Sequence, residues 1–388
     1  MFGEEDDNLS DSNDTGNAED NWISSLAFDS SGKFLAVGYN CGQVVVLTQQ
    51  EDQTYQLYTE FKSHDSEFDF LTSMEIEEKI NTIKWFPYES GSQHLMTSND
   101  KTIKLFKMSE RDHDGNTDVV VKPKKVFEGA HAYNINGVSF NSDGETFIST
   151  DDLRINLWNL NINNEAFGIV DIKPENMDEL NEVITCSDFH PQSCNILVYA
   201  TSKGVIRMGD LRDSALCDRY SKQFEDTESD IGGFFQELVT TISDVKFSPN
   251  GLFIVSRDYL TMKIWDPRIE NRPFKIIKFH DHLIPKLCDL YENDSIFDKF
   301  ECSWNGNSTR LLTGSYNNNF YICDAFGSQI TPMTAIKPTN VPFRDLQQHL
   351  DASQKVLHTA WHPHHDIVAL GAKDFGYLYV RKTENDPK

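Results

Sequence analysis

Short runs of alternating apolar and polar residues recur along the chain from about Trp22 onward. Each run ends on Phe or Trp and is followed by a turn rich in Pro, Ser, Asn and Gly, a second run, a tight polar turn and a third run. Alternation of this kind, bounded by turn residues, predicts half-buried β-strands. The chain should therefore be all-β and built from one repeated unit.

The repeated unit occurs seven times, and its aromatic anchors lie 49 to 58 residues apart. A WD-type blade repeats every ~40–45 residues, so each unit here has roughly ten further residues in a connection. A single four-stranded blade cannot bury both faces, so such units close into a ring around a channel. We predict a seven-bladed WD-type β-propeller with the aromatic anchors in its core. The anchors are Phe28, Trp85, Phe140, Phe189, Phe247, Trp304 and Trp361.

The first 21 residues differ from the repeats. This segment holds eight Asp and Glu residues and no Lys or Arg. Repulsion between like charges and the lack of apolar groups favour an unfolded segment. The predicted organisation is therefore an acidic disordered tail over residues 1–21 and a propeller over residues 22–388.

The chain contains 61 Asp and Glu residues against 35 Lys and Arg residues, a formal charge of −26 at pH 7. Such a field repels phosphate backbones and anionic lipid and attracts basic protein segments, so we expect no nucleic-acid or membrane partner. No apolar run approaches the ~20 residues of a membrane span, and the N-terminal residues have neither the basic start nor the apolar stretch of a signal peptide, so we expect a soluble, intracellular protein. Its seven cysteines are scattered singly, as expected in a reducing compartment. The expected location is the cytoplasm, with the nucleus as a further site.

Acidic residues concentrate in the turns and connections. In a WD-type blade, the turn between the second and third strands and the connection into the next blade open on the same rim. The connections before blades two, four, five and six are net acidic, and their stretches FFQELV and ENMDELNEVI predict short rim helices. Turn residues Asp100, Asp152, Asp258 and Asp374 either bind amides of their own turns or add carboxylates to the rim. Because Asp152 follows Asp151, one of the pair can bind the turn while the other faces solvent.

Motifs of enzymes and metal sites are lacking in the sequence. There is no glycine-rich phosphate loop, no G-x-S-x-G elbow and no kinase or metalloprotease motif. Two groups of potential ligands lack the paired spacing of a structural zinc site. They are Cys186, His190 and Cys194, and His362, His364 and His365. We expect a protein without catalytic activity, metal or cofactor.

Several runs are more specific than WD periodicity. They include EFDFLTSMEIEEKINTIKW, TDDLRINLWNL, SRDYLTMKIWD, KLCDLYENDSIFDKFEC and LHTAWHP. These runs closely resemble the B, or 55-kilodalton, class of protein phosphatase 2A regulatory subunits. The resemblance extends from about Trp22 to the last strand and includes the inserted connections as well as the strands.

The resemblance implies a non-catalytic subunit that directs the specificity and localisation of a serine/threonine phosphatase. Members of that family bind a helical-repeat scaffold (A) subunit, which also holds the catalytic (C) subunit, and they present phosphoprotein substrates to it. The implied substrates here have basic segments, which rim carboxylates would receive while Leu180 and Phe297 hold an apolar segment. The family's substrate groove matches Asp152, Leu180, Tyr291, Asp294, Phe297 and Lys299, with Glu75, Glu77, Glu78 and Lys79 nearby.

Two features depart from the family pattern. The family usually inserts a long hairpin arm in blade two for scaffold contact, whereas this chain has only HDGNTDVVVKPKKVFE between SERD and GAH. We therefore expect a much shortened arm. The first-blade turn, in which family members often have a Lys, is glycine-rich here, over residues 38–42. The scaffold-binding positions implied on the short hairpin are Val119, Val120, Val121, Lys122, Lys124 and Lys125.

Two other functions are compatible with the predicted fold. An acidic propeller can serve as the adaptor of another complex, such as a ubiquitin-ligase receptor or a chromatin scaffold. A propeller hydrolase is a further alternative, disfavoured by a rim that has acids without a nucleophile or a metal constellation. Copurification with a phosphatase catalytic subunit would separate a regulatory subunit from the adaptor.

Overall fold

The computed structural model describes residues 21–70, 73–87, 92–113, 116–162, 165–217, 219–226, 233–335, 350–372 and 376–380. Within these residues the strands form six four-stranded antiparallel sheets, one three-stranded sheet and one two-stranded hairpin. Neighbouring strands in every sheet are consecutive in the chain, as in the blades of a propeller. The all-β WD-type propeller is therefore confirmed, but the described residues form six four-stranded blades where the sequence predicts seven. The predicted acidic tail lies outside the described residues except for its last residue.

The N-terminal strands form three blades and a rim hairpin. Blade one contains β1 (Ile23–Phe28), β2 (Phe34–Tyr39), β3 (Gln43–Gln49) and β4 (Tyr55–Lys62). The rim hairpin consists of β5 (Glu67–Asp69) and β6 (Met74–Ile76). Blade two contains β7 (Thr82–Trp85), β8 (Gln93–Ser98), β9 (Ile103–His113) and β10 (Asn116–Phe127). Blade three contains β11 (Gly137–Phe140), β12 (Thr146–Thr150), β13 (Arg154–Asn159) and β14 (Ala166–Asp171).

Short helical segments precede the next three blades. Blade four follows a 3₁₀ turn (Met177–Glu179) and contains β15 (Ile184–Phe189), β16 (Ile196–Thr201), β17 (Ile206–Asp210) and β18 (Lys222–Phe224). Blade five follows α1 (Gln236–Thr240) and contains β19 (Asp244–Phe247), β20 (Ile254–Arg257), β21 (Thr261–Trp265) and β22 (Lys275–Lys278). Blade six follows a 3₁₀ turn (Asp281–Lys286), α2 (Leu287–Glu292) and a second 3₁₀ turn (Ser295–Phe297), and contains β23 (Cys302–Trp304), β24 (Arg310–Gly314), β25 (Asn319–Asp324) and β26 (Ile330–Thr334). The last sheet contains β27 (Val356–Trp361), β28 (Ile367–Ala372) and β29 (Gly376–Val380).

Apolar side chains fill the spaces between neighbouring blades. Five of the seven aromatic anchors are at most 8% exposed, while Phe28 and Phe140 are half-buried. Between blades two and three, Leu105 packs in one cluster with Phe147 and Trp158, whose rings stack 6.0 Å apart. Burying one such apolar side chain contributes about 1.5–3 kcal/mol. The cores between blades therefore stabilise the ring.

Hydrogen bonds between inner strands also join the blades. At five junctions among the described residues, a side-chain oxygen on or directly before one inner strand accepts a hydrogen bond from the main-chain N–H of the next inner strand, at 2.9 to 3.1 Å. These bonds satisfy amides on the strand edge that faces the channel, which would otherwise lack a partner in the sheet. The acceptors belong to Ser25, Ser139, Asp188, Asp244 and Glu301.

The last sheet meets blade one through the same contact that joins blades four and five. The His190 ring packs edge-on against Phe247 at a centroid distance of 4.9 Å, and His362 packs edge-on against Phe28 at 5.4 Å. Each imidazole accepts hydrogen bonds through Nδ1 from two amides of the turn that follows it. Gly32, with φ at +77°, lies beside His362, where a Cβ would come within 2.0 Å of Nε2. The last sheet thus closes against blade one.

Candidate functional site

The rim is the end of the propeller where the turns between second and third strands lie beside the connections between blades. A central channel with a volume of about 480 Å³ opens there. Lys79, Phe297 and Lys299, three of the predicted substrate-binding residues, line the channel together with Asp100. Lys79 precedes blade two and the other two precede blade six, so the closed ring brings together residues that are far apart in the sequence.

The adjacent carboxylates of Asp151 and Asp152 are used differently. Asp151 is fully buried; its Oδ1 accepts hydrogen bonds from two amides of its own turn, and Oδ2 lies 2.8 Å from Nδ1 of His131. Burial raises the pKa of Asp151, but its hydrogen bonds and the neighbouring His131 lower it overall. Asp152 is half-buried, and its Oδ1 accepts a hydrogen bond of 2.8 Å from Nδ2 of Asn136. Asp151 therefore holds the turn, and Asp152 remains at the rim.

In blade two, Asp100 has the same role as Asp152, and in blade five, Asp258 has the same role as Asp151. Nδ2 of Asn81 donates to Oδ1 of Asp100 at 2.7 Å, which matches the environment of Asp152. Asp258 instead accepts hydrogen bonds from two amides of its own turn. Of the turn carboxylates predicted at the rim, Asp100 and Asp152 thus bind asparagines, Asp258 binds its turn, and Asp374 lies outside the described residues.

A buried hydrogen-bonded chain fixes the turn of blade three. His131 Nε2 lies 2.5 Å from the Ser149 hydroxyl, and the Trp158 indole N–H donates to the same hydroxyl at 2.7 Å. With Asp151 on the other ring nitrogen, the chain links the turn to the second and third strands. The position of Asp152 therefore depends on a rigid support inside the blade.

Exposed aromatic side chains form a patch beside the channel. Tyr291 and Phe297 are 40% and 52% exposed, and their rings lie 6.0 Å apart. Phe234 is 71% exposed and lies 5.6 Å from Tyr291, whereas Phe235 is half-buried and 5.9 Å from Tyr291. We call these four residues the aromatic patch. The sequence predicted a rim helix at FFQELV, whereas α1 begins at Gln236, and the sequence analysis did not assign Phe234 to the site.

Three other predicted residues lie on the connections before blades four and six. Leu180 is half-buried and directly follows the 3₁₀ turn Met177–Glu179. Asp294 is exposed and adopts a left-handed conformation with φ at 57°, directly before the 3₁₀ turn Ser295–Phe297. Lys299 is exposed two residues beyond that turn. The connection before blade six therefore supplies acidic, aromatic and basic groups within one short segment.

The acidic EIEEK run lies on the rim hairpin and the chain that follows it. Glu75 pairs across the hairpin with Phe68. Glu75 and Glu77 are exposed, and Glu78 is half-buried. Phe70, at the end of the same hairpin, is 86% exposed. The hairpin thus presents carboxylates and an apolar tip together.

The outer hairpin of blade two bears the residues predicted to bind a scaffold. Its strands β9 and β10 have 11 and 12 residues and are the longest in the described part of the chain. Val119 and Val121 pack against the core between blades one and two, near Tyr58, and Val120 is half-buried. The three valines are therefore partly covered by the propeller itself.

The lysines of this hairpin are more accessible. Lys122 and Lys124 are exposed, whereas the Lys125 ammonium donates to the carbonyl of Leu160 at 2.6 Å. Lys122 pairs directly across the hairpin with Lys107. Like charges directly opposite each other destabilise a strand pair, so this pairing leaves positive charge that an anionic partner could neutralise.

Neither group of candidate ligands forms a metal site. The part of the chain that the structure describes contains no cluster of three His, Cys, Asp or Glu residues suited to a metal ion. His190 and His362 serve the contacts between blades, and burial raises the pKa of the Cys186 thiol. Among the described residues, no helix has the length and apolar character needed to cross a lipid bilayer.

Six four-stranded blades around a channel, with an acidic and aromatic rim, place the protein in the class of WD-type β-propellers. The model of the family described as WD domain, G-beta repeat matches residues 121–159, which include His131, Ser149, Asp151 and Trp158. The chain is also similar to the serine/threonine-protein phosphatase 2A regulatory subunit phr2AB of Dictyostelium discoideum, with 43% identity over 459 aligned positions, 94% of this chain and 95% of the relative.

The chain therefore belongs to the family of serine/threonine-protein phosphatase 2A regulatory subunits. The resemblance read from its sequence runs is confirmed, and its role is regulatory rather than catalytic. The aligned region has more positions than the 388 residues of this chain, so the relative contains insertions that are absent here.

Proposed function

We propose that this chain joins the scaffold and catalytic subunits of protein phosphatase 2A and selects phosphoproteins whose phosphosites lie beside basic residues. Membership of the regulatory-subunit family supports the first part. The observation that supports the second is the combination, on one rim, of carboxylates and an exposed aromatic patch. Asp152 and Asp294 are the carboxylates that we assign to substrate capture.

Electrostatics favour basic substrates at this rim. The chain has a formal charge of −26, and acids on one surface raise the local concentration of cationic partners. Asp152 accepts its hydrogen bond from a neutral amide, so its negative charge is not neutralised by Asn136. A substrate Lys or Arg would provide the missing positive charge.

The aromatic patch would supply the apolar part of recognition. Phe234, Tyr291 and Phe297 expose large ring surfaces that lie in contact with one another. Aromatic anchors of this kind commonly contribute most of the binding energy at protein interfaces. An apolar or helical segment of the substrate would cover them, while neighbouring basic residues reach the carboxylates.

The scaffold would contact the outer hairpin of blade two and the face opposite the rim. Lys122 and Lys124 are exposed on that hairpin, and Lys107 adds a further positive charge on the neighbouring strand. We therefore assign these lysines, rather than the partly covered valines, to the contact. A complementary acidic surface on the scaffold would be the partner chemistry.

We also infer that the three-stranded sheet is the seventh blade of the ring. Its inner strand contacts blade one, and Glu301 of blade six accepts a hydrogen bond from the amide of Thr359 on that strand. The His362 contact with Phe28 repeats the junction between blades four and five. A sheet held on both sides in this way occupies the place of a blade.

The function is tested by reconstitution. Purified scaffold and catalytic subunits are mixed with this chain, and the complex is isolated by size exclusion. Turnover is then measured on two phosphopeptides that differ only in having Lys or Glu beside the phosphosite. We expect kcat/KM to favour the basic peptide by about tenfold or more in the three-subunit complex.

The scaffold–catalytic pair without this chain is the control and should show little preference. Failure to form the three-subunit complex would remove this chain from the phosphatase. An equal preference with and without this chain would show that the rim does not select substrates.

A further inference from the structure

The segment 294–299 bears Asp294, Phe297 and Lys299, yet only a short 3₁₀ turn gives it regular structure. A rim segment of this kind needs other contacts to hold one conformation, since fixing each residue costs about 1–2 kcal/mol of conformational entropy. Its own side chains at Ser295 and Ile296 are buried, which ties it to the propeller. Further contacts come from blade six and from the chain directly before the last sheet, and blade five supports them.

Tyr316 provides the central contact. It lies in the turn between β24 and β25 of blade six and is 3% exposed. Its hydroxyl donates to the carbonyl of Ser295 at 2.7 Å and lies 2.9 Å from Oδ2 of Asp298. The one proton of this hydroxyl is shared between two acceptors, at the start and the end of the 3₁₀ turn that presents Phe297.

Blades five and seven complete this network. The hydroxyl of Tyr259, from blade five, lies 2.8 Å from that of Tyr316. The Lys355 ammonium, directly before the last sheet, lies 2.5 Å from Oδ1 of Asp298. The Asp298 side chain is only 10% exposed, so this ion pair is shielded from solvent. Tyr316 and Lys355 therefore hold the segment directly, and Tyr259 supports it through Tyr316.

We propose that Tyr316, together with Asp298 and Lys355, positions the segment 294–299 for substrate capture without contacting the substrate. The proposal rests on the proposed function of the rim. Tyr316 and Asp298 are mostly buried, so their influence on a substrate passes through the position of Phe297 and Asp294. They are positioning residues, and they determine the fraction of molecules in which the segment 294–299 has the conformation that binds substrate.

The test is Tyr316→Phe in the reconstituted three-subunit complex. The substitution keeps the ring, which packs against Phe300 with centroids 5.2 Å apart, and removes only the hydroxyl. Loss of a buried hydrogen-bonding partner commonly shifts such an equilibrium about tenfold. Such a shift lowers the competent fraction, and with it the apparent affinity, by at most about tenfold. We expect KM for the basic phosphopeptide to rise severalfold, up to about tenfold, while kcat stays unchanged.

Tyr259→Phe is the matched control. Tyr259 is also 3% exposed and loses the same atom, but its hydroxyl reaches Tyr316 rather than the segment. It should raise KM by less than about threefold, because the Tyr316 hydroxyl still contacts the segment. Scaffold affinity and turnover of p-nitrophenyl phosphate should be unchanged in both variants. An equal rise in KM for the two variants would mean that the rim is only generally loosened, and would overturn the proposal.

A double-mutant cycle with Phe297→Ala gives the deciding readout. If Tyr316 acts through Phe297, the double variant should raise KM by clearly less than the product of the two single effects. Independent, multiplying effects would overturn the positioning role. If Phe297→Ala raises KM and Tyr316→Phe does not, only the positioning role is wrong. If neither variant changes KM, both the role of Phe297 in the rim site and the positioning role are wrong.

Discussion

Asp152→Asn separates the charge of the rim carboxylate from its structural role. Asn136 donates to Oδ1 of Asp152, and the main-chain carbonyl of Asp152 accepts from the N–H of Ile184 at 2.7 Å. Asparagine retains an oxygen at the Oδ1 position and the same main chain, so both bonds can persist. What the substitution removes is the negative charge beside the connection that bears Leu180.

The expected effect on affinity follows from the half-buried position of Asp152. Two opposite charges about 4 Å apart attract by ~1 kcal/mol in water and by ~4 kcal/mol at an effective dielectric constant of about 20. A half-buried carboxylate lies between these limits, at about 2 kcal/mol, or roughly a thirtyfold loss in affinity. Binding of a basic phosphopeptide should weaken by that factor, and the remaining binding should depend less on salt.

Asp100→Asn is the matched control for this change. Asp100 accepts the same hydrogen bond from Asn81, and its main-chain carbonyl accepts from the N–H of Ile135 at 2.9 Å. The connection that follows Asp100 bears none of the predicted substrate-binding residues. We expect a loss of less than about threefold for this variant, because Asp100 adds charge to the rim but lies beside no connection that we assign to substrate capture.

The assay measures three quantities on each variant: melting temperature, scaffold affinity, and KM for the basic phosphopeptide in the three-subunit complex. Unchanged melting and assembly with a raised KM for Asp152→Asn alone would support the site. An unaltered KM for Asp152→Asn would exclude Asp152 from the substrate-binding site. Equal losses in both variants would show that the whole rim field, rather than this position, attracts the substrate.

Three further variants test the rest of the molecule. Lys122→Glu combined with Lys124→Glu should weaken scaffold binding by at least about tenfold without lowering the melting temperature; unchanged scaffold affinity would exclude the hairpin from the contact. Gly32→Ala should destabilise the propeller by clearly more than Gly129→Ala, because both glycines have positive φ but only at Gly32 would a Cβ meet another residue. Equal losses of stability in the two variants would argue against closure between the last sheet and blade one. Burial raises the pKa of Glu301, but its cationic neighbours lower it overall from the usual 4.5. The stability that wild type gains over Glu301→Gln should therefore shrink as the pH falls below about 4.5. A difference in the free energy of unfolding by denaturant that stays constant with pH would contradict this.

The repeated strands could be predicted because their cause is local. Alternation, turn residues and a regular aromatic anchor are present in every repeat, and each strand needs only its neighbours to form. The rim also followed from the topology, since a propeller places equivalent turns at one end. The sequence did not predict that the last sheet has three strands in the described residues, because the seven repeats are similar and do not indicate how many strands each sheet contains.

The roles of individual carboxylates were less accessible to sequence reasoning. Asp100, Asp152 and Asp258 all stand in a turn after a second strand, yet the first two accept from asparagines and the third binds its own turn. The difference is a shift of one position in the turn, which only the hydrogen bonds reveal. For the pair Asp151 and Asp152 the sequence did predict that one would bind the turn and the other would face out.

Substrate selection and the integrity of the ring should be linked in this protein. The candidate residues come from the connections before blades two, four and six and, for Asp152, from a turn of blade three, so no single blade contains the site. The segment 294–299 is held by Tyr316 and Lys355, and Tyr259 of the preceding blade supports Tyr316. A change that shifts any of these blades moves one side of the site relative to the others. Substitutions at distant blade junctions should therefore impair substrate selection before they unfold the protein, because binding needs the relative placement of blades and folding needs only their contact.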